Sequence, residues 1–228
     1  MFDRFSLFRD ATASNAISAG IGDERETPAP AQSGLLWDEQ VATVTGWRPA
    51  ADVVPGDRLL TFDAGLQKVT KVTRQPLWSA QEACPKRFWP LEVPKGAMGN
   101  REVMHLLPNQ SIMLESDLAE DIYGDPFTLI PAGALHGLRG VHRVPPDEDA
   151  EVVYIHFAEE QVIFGKQGTL MLCPSSRDIL DSALETARDP LYTILPMEQA
   201  RMLALELDEA DIAPQRNNPL SLLSSAFA

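Results

Sequence analysis

The 228-residue sequence is poor in cysteine and in positive charge, and it has no long apolar run. Its two cysteines, Cys84 and Cys173, stand far apart and outside any metal-ligand spacing, so they predict free thiols rather than a disulfide framework. No apolar stretch reaches the roughly 20 residues that a membrane helix needs, and we expect no membrane span. The N-terminus lacks the continuous apolar region of a secretory signal, which predicts a cytoplasmic protein.

Acidic residues outnumber basic residues by 33 to 19 and leave a formal net charge of −14. A nucleic-acid-binding protein needs a basic stripe to neutralise phosphates, so this charge argues against a nucleic-acid partner. The sequence contains no phosphate-binding loop, dinucleotide fingerprint or serine elbow, and we predict no cofactor. A protein or peptide partner stays open, and the composition does not fix the oligomeric state.

Composition divides the chain into three parts. Residues 1–33 form an N-terminal tail that ends in a Pro- and Ala-rich linker. Residues 34–174 alternate short β-type runs with turn residues, which is typical of an all-β barrel or sandwich. Residues 175–228 change to a helical pattern: Ser175 or Ser176 caps one expected helix, and Pro196 begins a second.

The strand candidates are residues 41–44, 58–62, 68–73, 103–107, 112–114, 127–130, 152–157, 161–164 and 169–172. The last two flank a Gly-Lys-Gln-Gly turn and predict a hairpin. Three prolines and a glycine predict an irregular loop over residues 80–100. In the second expected helix, Leu203 and Ala204 lie on the apolar face.

The segment GWRPAADVVPGDRLLTFDAG, residues 46–65, is the most specific motif in the chain. Its Pro55-Gly56-Asp57 turn joins an apolar segment to a strand, because proline fixes φ and glycine permits positive φ. The order of strands and turns around it resembles the Hedgehog/intein superfamily, called Hint, and most nearly its bacterial Hint-domain group. Residues 105–114 (HLLPNQSIML), 129–132 (LIPA) and 153–156 (VYIH) resemble later segments of the same family. The resemblance covers roughly residues 34–208 and implies a Hint-type β fold with two short C-terminal helices.

The resemblance also implies where the chemistry of this family would lie. Hint autoprocessing begins when a thiol or hydroxyl at the first residue attacks the preceding carbonyl, assisted by an imidazole. Here Gly34 falls at the nucleophile position and Gln110 at the histidine position. The position of a second family histidine, in a late strand, falls near Glu160. Glycine carries no nucleophile, and glutamine does not shuttle protons near neutral pH. We therefore expect a degenerate domain without enzymatic activity, in which Gly34, Gln110, His156 and Glu160 line a cleft that serves a binding or structural role.

The alternative is an autoprocessing protein. A slip of one residue puts Ser33 at the nucleophile position, with Gln32–Ser33 as the scissile bond and His156 as the candidate catalytic histidine. The pattern places no base beside Ser33. The Gly-Thr pair of the family falls on Asp38-Glu39 and is also lost.

The other reactive residues favour ordinary structural roles. Cys84 lies in a loop without a placed histidine, and Cys173 ends an apolar run that predicts burial. His105 lies near the lost histidine position, but its odd offset from Gln110 puts it on the other face of a continuous strand. A metal at His136 and His142 needs converging carboxylates. The nearest in sequence, residues 147–149, read as a solvated acidic loop, and we predict no metal site.

Overall fold

The computed structural model of the chain describes residues 34–79, 83–176 and 192–209, and these ranges are predominantly β-structure. The strands are β1 Leu35–Leu36, β2 Gln40–Thr43, β3 Gly46–Pro49, β4 Arg58–Thr61, β5 Gly65–Lys68, β6 Lys71–Pro76, β7 Leu91–Val93, β8 Met104–Leu106, β9 Ser111–Glu115, β10 Phe127–Pro131, β11 His142–Arg143, β12 Glu151–His156, β13 Gln161–Phe164 and β14 Leu170–Cys173. The α-helices are α1 Asp117–Tyr123 and α2 Met197–Glu209. Short 3₁₀ helices cover Ala50–Asp52, Lys86–Phe88 and Ala132–Leu135.

The strands form three antiparallel sheets. The largest has the order β10-β9-β14-β13-β4-β2-β3, with β5 paired to β4. A second sheet has the order β1-β12-β6, and a third has the order β11-β7-β8. The predicted hairpin is confirmed, since β13 pairs with β14 from Gln161↔Cys173 to Phe164↔Leu170.

The Pro55-Gly56-Asp57 turn has the predicted geometry. Gly56 adopts a φ of +102°, a conformation that side-chain-bearing residues rarely adopt. The Asp57 carboxylate closes the turn, since its Oδ2 accepts hydrogen bonds from Val54 N at 3.0 Å and Arg48 Nη1 at 3.1 Å. The turn directs the chain into β4, where Leu59 is fully buried.

The core lies between the sheets: β13 and β14 are buried at every position, whereas β7 and β8 alternate buried with partly buried residues. Phe157, Ile155 and Leu106 are among its largest fully buried side chains. Helix α2 packs its predicted apolar face into the same core, with Ala200, Leu203 and Ala204 buried. Within the described ranges, no helix combines the length and apolarity needed to cross a bilayer.

Several segments differ from the sequence predictions, among them β3 Gly46–Pro49, which lies where only turn residues were expected. The expected loop over residues 80–100 contains strand β7, in which Leu91 and Val93 are buried. Helix α1 was not predicted; Ser116 caps it by accepting a hydrogen bond from Ala119 N at 3.3 Å. The expected strand over residues 68–73 is divided between β5 and β6. The helix expected after Ser175 or Ser176 lies outside the described residues, as do the N-terminal tail and linker.

Candidate functional site

Gly34 lies buried where the described chain enters β1, beside strand β12. The register Leu35↔Val153 places Gly34 opposite Tyr154. A Cβ atom built on Gly34 would stand 2.2 Å from Val152 Cγ1, although real Cβ atoms essentially never show contacts below 3.0 Å. It would also stand 3.2 Å and 3.3 Å from two ring carbons of Tyr154. The position therefore has no space for a nucleophilic side chain in this arrangement.

Tyr154 is held in place beside Gly34 by a hydrogen bond at the tip of its ring. Gln75 Nε2 donates to the Tyr154 hydroxyl at 2.8 Å, and burial raises the pKa of that hydroxyl. His156 lies two residues further along β12, so its side chain is on the same face of the strand as Tyr154. His156 Nδ1 lies 3.2 Å from the Ser175 carbonyl oxygen, which can only accept a hydrogen bond. This bond orients the ring with the proton on Nδ1.

Gln110 is fully buried and stabilises the turn between β8 and β9. Its Oε1 accepts a hydrogen bond from Leu107 N at 3.3 Å, and its backbone N donates to Leu107 O at 3.0 Å. Its Nε2 is buried and finds no hydrogen-bond partner among the described residues. Leu107 packs in one apolar cluster with Val152 and Tyr154, which connects the Gln110 turn to the surroundings of Gly34.

Of the remaining predicted site residues, Glu160 lies in the described part of the chain and Ser33 does not. Glu160 is half-buried in the turn between β12 and β13, and its charge acts on Tyr192, whose hydroxyl donates to Asp63. Glu160 Oε2 is buried without a hydrogen-bond partner in the described part of the chain. Ser33 lies outside the described residues. The structure thus links Gly34 to His156 along β12 and to Gln110 through Leu107, and the inclusion of Glu160 stays a prediction.

Glu39 is a chemically unusual group that sequence reasoning did not select. Its carboxyl group packs closely against Gly165. A Cβ built on Gly165 would stand 2.7 Å from Glu39 Oε1 and 2.3 Å from Thr169 Oγ1. Burial, with a smaller contribution from the Asp38 charge, raises the pKa of Glu39 to about 8. A carboxylic acid of this kind keeps its proton near neutral pH and can donate a hydrogen bond. The sequence pointed to Glu39 in one way only, because the Gly-Thr pair of the family falls on Asp38-Glu39.

Neither thiol is activated as a nucleophile. Both cysteines are free, as predicted. Burial raises the pKa of Cys84, and complete burial raises the pKa of Cys173 to about 12. A reactive cysteine needs the opposite shift, because the thiolate is the attacking species.

His105 and His142 meet a carboxylate from a part of the chain that sequence reasoning passed over. Glu92 of β7 lies between His105 of β8 and His142 of β11 in the third sheet. Strand β7 stood inside the expected irregular loop, so no face could be assigned to Glu92 from the sequence. The carboxylates weighed from the sequence as neighbours of His142, residues 147–149, are exposed.

Comparisons with known proteins place this geometry in context. Residues 34–169, more than half of the chain, match the family described as the Hint domain. Among solved structures, the bacterial intein-like domain from Clostridium thermocellum is 12% identical, with a TM-score of 0.42, and the match covers 64% of this chain and 100% of that one. The MchDnaB-1 intein is 17% identical, with a TM-score of 0.37, and the match covers 62% of this chain and 99% of that one. No curated protein matches the chain. The extent of the family match shows that this chain belongs to the Hint domain family.

Proposed function

We propose that this protein is a catalytically degenerate Hint domain that acts as a binding or structural module. The observation that carries the proposal is the enclosure of Gly34. Self-cleavage by a Hint domain needs a thiol or hydroxyl at its first position, and Val152 Cγ1 lies 2.2 Å from where even a Cβ would stand at Gly34. Tyr154 and Val152 fill the space in which a nucleophile would lie.

The other two positions support the same proposal. Gln110 offers an amide at the place of the acid–base histidine, and an amide does not exchange protons near neutral pH. Its Oε1 is engaged by Leu107 N, so part of its role is to hold a turn. The ring of His156 is oriented by a hydrogen bond from its Nδ1 to the Ser175 carbonyl oxygen.

A binding role for the cleft draws on the Gln110 Nε2 group, which has no hydrogen-bond partner among the described residues although buried amide donors are normally satisfied. Gln110 is enclosed in this conformation, so in this proposal the backbone carbonyl of a peptide partner reaches Nε2 only when the turn between β8 and β9 opens. In this proposal residues 34–174 form the Hint-like module, and residues 1–33 and 175–228 are extensions of it.

Intact mass measured after expression tests the loss of autoprocessing. We expect one species at 25.1 kDa, unchanged by incubation with thiol or hydroxylamine. The alternative, cleavage at Gln32–Ser33, predicts two fragments and a hydroxylamine adduct of residues 1–32. The Ser33→Ala variant is the matched control, since it would abolish those fragments. Fragments from the natural chain that vanish in this variant would overturn the proposal.

A further inference from the structure

A tight turn after the 3₁₀ helix Ala132–Leu135 carries an exposed histidine to the side of strand β11. Gly137 N donates to Val141 O at 2.9 Å, so the chain folds back on itself directly after His136. The residue that follows Val141 is the first residue of β11. His136 therefore lies beside β11, and its side chain is open to solvent.

Helix α2 adds a guanidinium group to this turn. Met197 Cε lies 3.2 Å from the point where a Cβ of Gly133 would stand, so this face of α2 packs against the 3₁₀ helix. Arg201 follows Met197 by about one helical turn and therefore lies on the same face of α2. Arg201 is exposed, and its charge acts on His136, three residues beyond Gly133.

Arg143 of β11 contributes a second guanidinium group, which backbone carbonyls hold in position. Its Nη1 donates to Arg87 O at 2.8 Å and to Trp89 O at 3.3 Å. Within the described ranges these bonds engage Nη1 alone, and a guanidinium group has five N–H donors. The side of the group that carries Nε and Nη2 can therefore take a ligand.

Electrostatic repulsion connects these three side chains. Partial burial lowers the pKa of Arg143, and the charge of Arg201 lowers it further. Partial burial also lowers the pKa of His136, followed by the charges of the two arginines and then of His142. The three cationic groups thus stand close enough to oppose one another's charge.

The chain does not neutralise this cluster although it has 33 acidic residues. Within residues 34–79, 83–176 and 192–209, neither Arg143 nor Arg201 forms an ion pair with a carboxylate. The carboxylate of Glu92 faces His142 instead, with 3.9 Å between Oε1 and Nε2. Cations that are grouped in this way create a positive local field, which attracts an anion from outside the chain.

We propose that Arg143, Arg201 and His136 bind one tetrahedral oxyanion of the phosphate class. Guanidinium groups match the paired oxygens of a phosphate group in geometry and in charge. Two permanent cations and an imidazole also suit a divalent anion better than a single carboxylate. The ligand is free phosphate or the phosphate group of a small phosphorylated molecule, because both present the same oxygens. None of the three residues belongs to the predicted cleft, so the proposal does not depend on the proposed function.

Titration of the full chain with inorganic phosphate at constant ionic strength, followed by NMR of the His136 imidazole, tests this inference. We expect saturable binding of one ion with a Kd of about 1 mM or tighter. The pKa of His136 should rise in the complex, because the bound anion stabilises the imidazolium form.

Two variants examine the arginines separately. Arg201→Gln should weaken phosphate binding at least about tenfold through the loss of a charge-assisted hydrogen bond, and the fold should persist because Arg201 is exposed. Arg143→Lys keeps the charge and loses the planar fork, so it should also weaken binding. Arg58→Gln is the matched control: it removes an exposed arginine from β4 and should leave the phosphate affinity unchanged.

A parallel titration with glycerol 3-phosphate distinguishes the two sources of the ligand. Binding at least as tight as that of inorganic phosphate identifies a phosphorylated molecule, and weaker binding identifies the free ion. The proposal is wrong if the natural chain shows no saturable shift up to about 10 mM phosphate. It is also wrong if Arg201→Gln and Arg143→Lys both bind phosphate as tightly as the natural chain does.

Discussion

At the scale of single residues, Gly34 shows how closely a position beside β1 can pack against the neighbouring strand. A cysteine at this position would have to displace Val152 first. The family pattern located this position from the sequence, but the contact with Val152 depends on strand pairing between β1 and β12. In the proposed function, the loss of autoprocessing and the packing of β1 both follow from this one residue.

We predict that Gly34→Ala lowers the free energy of unfolding by about 1–3 kcal/mol, the usual cost of an overpacked core site. Denaturant unfolding followed by far-ultraviolet circular dichroism measures the change. Val152→Ala in the Gly34→Ala background should recover part of the loss, because the added methyl group then has space. Additive effects of the two substitutions would contradict the proposed contact.

Glu39 provides a pH-dependent prediction at the same scale. Its pKa is about 8 in the folded chain, against 4.5 as its ordinary value. Its contribution to stability is therefore complete below pH 4.5 and is lost as the pH rises to about 8, because only the unfolded chain releases the proton in that window. Glu39→Gln, which is neutral throughout, should remove this decline and stabilise the chain at pH 8 by about 4 kcal/mol.

Chemical denaturation of both proteins at several pH values measures this difference. Asp38→Asn is the informative comparison. It removes the Asp38 charge, which raises the Glu39 pKa less than burial does, so the Glu39 pKa should fall only in part. Parallel stability profiles for the natural chain and Glu39→Gln between pH 5 and pH 8 would contradict the assignment.

At the scale of elements, helix α2 tests how a C-terminal helix holds the β framework. Leu203 is 3% exposed and packs into the main core, whereas its neighbour Met202 is 64% exposed. We predict that Leu203→Ala costs about 2–5 kcal/mol of unfolding free energy and that Met202→Ala costs less than about 0.5 kcal/mol. Thermal unfolding of the two variants measures the contrast. Equal losses would show that α2 does not dock through this face.

The sequence predicted the elements that carry a strong local signal. The β13–β14 hairpin, the Pro55-Gly56-Asp57 turn and the apolar face of α2 are confirmed, because apolar runs, helical periodicity and turn chemistry are local properties of the sequence. Strand β7 was missed because it has only three residues between two prolines. Helix α1 was missed because seven residues span too few turns to establish a helical period.

For the candidate site residues, too, what the sequence indicates depends on whether the determining contacts are local or distant along the chain. The assignment of Gly34 and Gln110 to the cleft rests on the order of motifs along the chain and stays a prediction. The contact of Glu39 with Gly165, and the row formed by Glu92 with two histidines, are set by strand pairing between segments far apart in sequence. Such contacts have no local periodicity, so the residues alone did not indicate them.

At the scale of the whole molecule, the excess of acidic residues makes self-repulsion the main long-range electrostatic effect. The 33 acidic residues outnumber the 19 basic residues by 14, which leaves the formal charge of −14. Raising the ionic strength from about 0.01 M to about 0.15 M shortens the Debye length from about 30 Å to about 8 Å, which screens this repulsion. We therefore predict that the thermal unfolding midpoint rises with NaCl over this range. Lys95→Glu, at an exposed site, increases the negative charge and should steepen the rise. A midpoint that falls with salt would mean that local ion pairs outweigh the net charge.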